Sequence, residues 1–207
     1  MNALLLIDIQ NDFLPGGALA VPHGDSVIAV ANRAQEHFEV IIASQDWHPA
    51  DHGSFAANYD GRSPGEMLDL AGVEQILWPV HCVQHTFGAE FATELNTARV
   101  SQVFQKGTDK DIDSYSAFFD NGHTKATGLG DELKRRGVSS VYVLGLATDY
   151  CVKFSSLDSL QLGFETYLIE DGCRGVNLQA GDADRAITEM CAAGVRVVQS
   201  DAVGETL

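Results

Sequence analysis

One cysteine stands where a predicted strand meets a predicted helix, a position suited to nucleophilic chemistry. The apolar run at 141–146 predicts a buried strand, and the amphipathic pattern that follows predicts a helix capped by Thr148 or Asp149. Cys151 would lie in its first turn, where unpaired backbone N–H groups and the helix dipole favour a thiolate and an oxyanion. A cysteine that is only a small buried residue would show the same pattern. The residues at the other strand ends are therefore needed to distinguish a catalytic cysteine from a structural one.

Two further strand ends carry the partners that such a nucleophile requires. Asp8 lies near the end of the first apolar run, and Lys106 lies near the end of a later one. A carboxylate can take the thiol proton and return it to a leaving group, while an ammonium lowers the thiol pKa and holds the carboxylate. Asp8, Lys106 and Cys151 therefore form a candidate catalytic triad, with Asp12 as a weaker alternative base. A loop-capping aspartate and a solvated lysine are the ordinary alternatives.

A histidine-rich segment predicts a metal site. Asp46 and His48 follow the second predicted strand, and residues i and i+2 of an extended chain share a face. His52 lies four residues further on, and His81 returns from the next loop. One carboxylate and three imidazoles suit one borderline divalent ion, such as Zn²⁺, Mn²⁺ or Fe²⁺. A polar loop without metal is the alternative. Substitute ligands are available at Asp51 and His85.

Two aromatic side chains flank these groups. Phe13 follows Asp8 along the chain, and Trp78 precedes His81. They could hold a flat ring between them, because aromatic faces favour stacked and edge contacts. Core residues that anchor loops are the alternative interpretation.

The elements that position these residues alternate along the chain. Apolar runs predict six strands, at 4–9, 40–44, 101–107, 141–146, 165–170 and 196–199. Helical periodicity is found at 25–38, 124–136, 152–162 and 179–193. This alternation predicts a single α/β domain over residues 1–207, an open parallel six-stranded sheet of Rossmann-like type with helices on both faces. Ligands of such sheets bind at the carboxyl ends of the strands, where the candidate residues fall. The segment 45–74 is predicted as a long functional loop.

Composition excludes several classes of protein. The 207 residues are 45% hydrophobic and 20% charged, as in an ordinary globular chain. A net charge of −16 argues against nucleic acid and anionic membranes as partners, because both attract basic surfaces. The N-terminus has the pattern neither of a signal peptide nor of a transmembrane segment, and the four cysteines form no CxxC pair. We therefore expect a cytoplasmic protein with reduced thiols.

The residues resemble the nicotinamidase/pyrazinamidase family, within the isochorismatase-like cysteine hydrolases. The resemblance covers essentially the whole chain. The segments that carry it are LIDIQNDF at 6–13, DWHPADH at 46–52, WPVHC at 78–82, KG at 106–107 and GLATDYCV at 145–152. The metal set is the specific part, because many relatives in the superfamily share the triad without it.

The resemblance implies an amidase that converts nicotinamide and water to nicotinate and ammonia in NAD salvage, and that also accepts pyrazinamide. Cys151 would form a thioester, Asp8 would carry the proton, and Lys106 would orient the pair. The family has a cis peptide bond before the nucleophile helix, which here falls at Leu146 and Ala147. This bond would let the N–H groups of Ala147 and Cys151 face an oxyanion.

The resemblance also implies the binding residues. The metal would bind the pyridine nitrogen of the substrate, and its ligands would be Asp46, His48, His52 and His81. The residues expected around the ring are Phe13, Trp78, Tyr115 and Leu146.

Three other functions stay open on the residues alone. A metal-free relative would hydrolyse another small amide or carbamoyl group. A metallohydrolase would use the ion to activate water and leave Cys151 structural. A metal-storage or interaction protein would show no turnover. The oligomeric state, monomer or homo-oligomer, and the roles of His85 and of an insertion at 59–76 also stay open.

Overall fold

The computed structural model describes residues 1–206 and places the six predicted strands in one sheet. The strands in chain order are β1 Asn2–Ile7, β2 Val40–Asp46, β3 Met67–Leu70, β4 Val73–Ile76, β5 Gln102–Lys106, β6 Ser140–Leu146, β7 Glu165–Arg174 and β8 Arg196–Val198. The α-helices are α1 Ser26–Ala34, α2 Leu129–Arg135, α3 Lys153–Gln161, α4 Asp182–Ala193 and α5 Val203–Thr206. The main sheet has the order β5-β2-β1-β6-β7-β8, with every pair parallel, while β3 and β4 form a separate antiparallel hairpin.

The centre of the sheet is the core of the protein. Every residue of β2 and β6 is buried, which requires cover on both faces and explains their continuous apolar runs. Helices flank the sheet, and both α1 and α3 pack against β6 and β7. Burying one large apolar side chain contributes about 1.5–3 kcal/mol, so this core holds the strand ends firmly in place.

Three predicted boundaries differ from the structure. The predicted loop at 45–74 contains the end of β2, all of β3 and the start of β4. The predicted helix at 124–136 begins only at Leu129, since Asp120 draws the amides of Gly122 and Thr124 into a turn. β7 runs on past residue 170 to Arg174, because an irregularity in β6 lets pairing with it resume.

A glycine permits this irregularity. Gly145 has a φ of +130°, and a Cβ atom on it would lie 2.1 Å from the backbone oxygen of Ile7. Only a residue without a side chain can take this conformation so close to β1. The end of β6 therefore packs directly against the backbone at the end of β1.

None of the described helices is both long and apolar enough to cross a membrane. The four cysteines are free thiols, of which only Cys191 is exposed.

Candidate active site

A buried lysine gathers the three predicted catalytic groups. Nζ of Lys106 lies 2.9 Å from Oδ2 of Asp8 and 3.4 Å from Sγ of Cys151, and it contacts Oδ1 of Asp46. It also donates to the backbone oxygen of Ser114 at 3.0 Å. Because β1 and β5 lie on either side of β2, their carboxyl ends bring these side chains to one point. The strand order therefore places the side chains of Asp8, Lys106 and Cys151 at the same edge of the sheet.

Asp8 is held by more than the lysine. Its backbone has a φ of +47°, which is uncommon for a residue with a side chain. The hydroxyl of Ser44 donates to Oδ1 at 2.6 Å, and the sulfur atom of Cys151 lies within 4.8 Å of an oxygen of the same carboxyl group. Asp8 can therefore exchange a proton with the sulfur atom. Asp12, the alternative base, instead accepts from the backbone N–H groups of Cys82 and Ala18, which makes it a structural residue.

The ionisation of Cys151 differs from the sequence-based expectation. Burial raises the pKa of the thiol well above its ordinary value, Asp8 and Asp46 raise it further, and Lys106 only partly opposes them. The prediction of an easily ionised thiol is therefore wrong for the resting protein, because burial, the largest influence on this pKa, outweighs the ammonium of Lys106. Burial also raises the pKa of Asp8, again against the influence of Lys106. A carboxyl group with a raised pKa is a better proton acceptor.

For Asp46 and Lys106, the charged neighbours together influence the pKa more than burial does. Burial alone would raise the pKa of Asp46, but Lys106 and His48 hold it well below the usual range. Burial alone would lower the pKa of Lys106, but Asp46 and Asp8 raise it well above its usual value. The two groups therefore remain a charged pair inside the protein.

Cys151 belongs to a π-helical turn, Thr148–Val152, that leads into α3. Such turns are rare and are often found at functional sites. Neither predicted cap residue caps this turn, and Asp149 instead accepts from the amides of Val176 and Asn177. The peptide bond between Leu146 and Ala147 is cis, as the resemblance implied.

Two histidines are locked in a tautomer that suits a metal ion. Nδ1 of His48 lies 2.9 Å from the backbone oxygen of Gly107, and Nδ1 of His81 lies 2.8 Å from that of Pro79. A carbonyl oxygen can only accept, so each Nδ1 carries a hydrogen, and when the ring is neutral each Nε2 keeps its lone pair. These two Nε2 atoms lie 3.4 and 3.7 Å from Oδ2 of Asp46. The three side chains form one group that could hold a divalent ion.

His52 belongs to a neighbouring group. Its ligand atoms cluster with those of His48 and Asp113 rather than with Asp46 and His81. Its Nδ1 lies 2.7 Å from the hydroxyl of Ser54 and accepts from the backbone N–H of Ser54 at 3.2 Å, so in the neutral ring the hydrogen is on Nε2. Its Nε2 is buried without a hydrogen-bond partner. Burial, with the nearby His48, lowers the pKa of His52 to about 4, so the ring is neutral at pH 7.

The substitute ligands lie elsewhere. Asp51 is exposed and faces Lys110, and the ring of His85 packs edge-on against Trp47 at a centroid distance of 5.2 Å. Neither belongs to a described group that could hold an ion.

A cavity connects Cys151 with the Asp46 group. Phe13, Trp78, Tyr115 and Ala147 line it, as expected for ring and oxyanion contacts. Leu146 is wholly buried and does not line the cavity, so the prediction that it contacts substrate is not supported by this geometry. Sequence reasoning missed four lining residues, which are Leu19, Asp113, Tyr150 and Val176.

Three aromatic rings form one wall of the cavity. The ring of Tyr150 packs edge-on against Trp78 at 4.8 Å and against Tyr115 at 5.4 Å. The indole Nε1 of Trp78 donates to the hydroxyl of Tyr115 at 3.1 Å. On the other side, Phe13 lies 5.6 Å from the ring of His81. The cavity therefore offers an apolar slot with a thiol at one point and ligand nitrogens at another.

The parallel sheet and this site define an isochorismatase-like α/β hydrolase. The isochorismatase domain family matches residues 2–202. The chain is 53% identical to the nicotinamidase of Escherichia coli (strain K12), over 93% of this chain and 92% of that protein. It therefore belongs to the isochorismatase family and, within it, to the nicotinamidases.

Solved structures agree with this assignment. The nicotinamidase of Acinetobacter baumanii has a TM-score of 0.94 at 44% identity, covering 100% of this chain and 98% of that chain. The pyrazinamidase of Pyrococcus horikoshii in complex with zinc has a TM-score of 0.78 at 38% identity, covering 96% and 98% of the two chains.

Proposed function

We propose that this protein is a nicotinamidase, which hydrolyses nicotinamide to nicotinate and ammonia in NAD salvage and also accepts pyrazinamide. Curated relatives of nearly the same length carry this activity in their names, and one is named for both substrates. The observation that carries the proposal is the cavity that joins the Cys151 thiol to the Asp46 group. A ring that filled the slot would have its carboxamide at the sulfur atom and a ring nitrogen toward the histidines.

Acylation uses the short distance between the Cys151 sulfur and the Asp8 carboxyl group. The sulfur atom attacks the carboxamide carbon while its proton passes to Asp8. The backbone N–H groups of Ala147 and Cys151 donate to the oxyanion that forms. As the intermediate collapses, the C–N bond breaks and Asp8 returns the proton to the departing nitrogen. Ammonia leaves, and the acyl group remains on sulfur as a thioester.

Deacylation reverses these roles. A water molecule attacks the thioester carbon and gives a proton to Asp8. The C–S bond breaks, the proton moves from Asp8 to the sulfur atom, and the released acid gives its own proton to the solvent to become the carboxylate. Lys106 keeps its charge throughout and orients both Asp8 and Cys151. Water enters as the only co-reactant, so the sequence returns the enzyme to its starting state.

A divalent ion, with zinc as our first choice, fits the donor set. Asp46, His48 and His81 would hold it, and His52 lies beside them as a fourth ligand or as a partner of metal-bound water. When bound, the ion would supply a Lewis acid for the pyridine nitrogen of the substrate. The carbonyl partners of His48 and His81 support this assignment, because they leave both Nε2 lone pairs free.

Two other reactions fit the site less well. A metal-free amidase or carbamoyl hydrolase would have no use for two histidines locked with their lone pairs toward one carboxylate. A metallohydrolase with a structural cysteine leaves the buried contacts of Lys106 with Asp8 and Cys151 without a role.

The test is release of ammonia from nicotinamide by the purified protein, before and after a chelator removes metal. We expect turnover that falls with chelation and returns with added zinc. Turnover that does not change on chelation would agree with a cysteine hydrolase but would contradict a role for the ion. No turnover with metal restored would reject nicotinamide as the substrate.

A further inference from the structure

The β3–β4 hairpin reaches the cavity through one buried side chain. Most of the hairpin is exposed or half-buried, as Met67 shows with 48% exposure, whereas Gln75 is only 1% exposed. Glutamine is rarely buried unless its amide is hydrogen bonded. The insertion at 59–76 therefore places one polar group inside the protein.

The amide of Gln75 contacts residues that line the cavity. Its Nε2 lies 3.0 Å from Oδ2 of Asp113, 3.0 Å from the hydroxyl of Tyr115 and 2.8 Å from the backbone oxygen of Ile76. Its Oε1 accepts from Nδ2 of Asn121 at 3.2 Å. Three acceptors surround two amide hydrogens, so every polar atom of the side chain is engaged.

These contacts continue to the aromatic wall. The hydroxyl of Tyr115 also accepts from Nε1 of Trp78 at 3.1 Å, so two donors fix the position of this oxygen. Both rings line the cavity beside Tyr150. Without Gln75, the hydroxyl of Tyr115 would lose one donor and the carboxylate of Asp113 would lose a partner. The two segments that carry these residues would then be less constrained.

We propose that Gln75 is a positioning residue for the ring-binding wall of the cavity. It fixes Tyr115 and Asp113, and through Tyr115 it fixes Trp78. This inference rests on the proposed function, because the wall is read as the site of the nicotinamide ring. The catalytic groups keep most of their own contacts, since Lys106 is held by Asp8 and Asp46, and only its bond to the backbone oxygen of Ser114 reaches the segment that Gln75 contacts. Gln75 therefore acts on substrate binding more than on the chemical steps.

The first test compares Gln75→Met with a neighbour on the same strand. Methionine keeps the volume of the side chain and removes its hydrogen bonds. We expect KM for nicotinamide to rise roughly tenfold, the effect of about one buried hydrogen bond, while kcat stays within about threefold. Glu74→Gln is the matched control, because Glu74 is exposed on the same strand and makes none of these contacts. A KM equal to that of the control would overturn the inference.

A second test separates positioning from general loosening of the hairpin. Tyr115→Phe removes the hydroxyl without touching the hairpin, and we expect it to raise KM as well. If Gln75 acts through this hydroxyl, Gln75→Met has a smaller effect on KM in the Tyr115→Phe background than in the parent protein. If the fold-change in KM of the double variant equals the product of the two single fold-changes, the two residues act independently, which would contradict the proposal.

A binding measurement keeps this result apart from the proposed reaction. The chain has two tryptophans, so Trp47→Phe leaves Trp78 as the only indole fluorophore. In this background, the variant that also carries Gln75→Met should bind nicotinate about tenfold more weakly. The variant that carries Glu74→Gln instead should have an unchanged Kd. A parent protein without amidase activity would reject the proposed function. If the parent is active but Gln75→Met leaves the Kd for nicotinate unchanged, only the role of Gln75 is rejected.

Discussion

Lys106 and Asp46 form a buried ion pair that joins the two halves of the site. Nζ of Lys106 contacts Oδ1 of Asp46, while Oδ2 of the same carboxylate faces Nε2 of His48 at 3.4 Å. The same Nζ lies 3.4 Å from the sulfur atom of Cys151. One carboxylate therefore fixes the distance between the nucleophile and the group of ligand nitrogens.

Removing the lysine should destabilise the fold as well as the activity. Lys106→Met leaves Asp8 and Asp46 buried without their cation, and breaking a buried ion pair in this way costs about 3–5 kcal/mol. Urea unfolding measures the loss. Lys110→Met is the control, because the side chain of Lys110 is 57% exposed and its loss should change stability by less than about 0.5 kcal/mol. Equal stability of the two variants would contradict the buried pair.

Metal binding should distinguish the histidines. His81→Ala should lose bound metal when the protein is purified and analysed for zinc, because His81 and Asp46 face each other in the first group. His85→Ala should retain it, since that ring only packs against Trp47. His52→Ala should weaken binding less than His81→Ala does, because the ligand atom of His52 belongs to the neighbouring group. An equal loss in both would make His52 a full ligand.

The glycine before the nucleophile turn should not tolerate a side chain. Gly145→Ala would place a methyl group 2.1 Å from the backbone oxygen of Ile7, and we expect a loss of about 3 kcal/mol in the free energy of unfolding. Gly137→Ala is the control, because its φ is also positive, at +72°, but no atom lies within 4 Å of the added carbon. It should lose about 1 kcal/mol through backbone strain alone. Similar losses in the free energy of unfolding for the two variants would contradict the close approach of Gly145 to the backbone of Ile7.

Thiol reactivity should follow burial. Burial raises the pKa of Cys82 and Cys151 well above the ordinary value and that of Cys173 to about 12, so their thiolate fraction at pH 8 is below that of a free cysteine. In the resting protein a small disulfide reagent should modify one thiol rapidly at pH 8, that of exposed Cys191, and four after unfolding. Raising the pH should speed the slow thiols, because the thiolate is the reacting form. Cys191→Ser should abolish the fast phase, and its persistence would contradict the assignment.

The fold and much of the site could be predicted because both depend on short, regular patterns. Continuous apolar runs marked the strands, and the convergence of parallel strand ends placed Asp8 and Lys106 beside Cys151. The pKa of Cys151 could not be predicted in this way, since it depends first on how deeply the fold buries the sulfur atom and then on the charges around it. Gln75 and Asp113 lie in segments without periodicity, so only the folded chain reveals their contacts. Tyr150 adjoins Cys151 in the sequence, yet nothing in the pattern tells on which side its ring lies.

The central claim is that Cys151 is the nucleophile of a metal-containing amidase. The most direct measurement is ammonia release from nicotinamide by Cys151→Ala, with zinc content determined on the same sample. We expect kcat to fall by roughly 10⁴-fold or more, as when other covalent nucleophiles are removed, while bound metal stays at the parent level. A variant that keeps its metal and a near-parent rate would show that the reaction does not pass through Cys151.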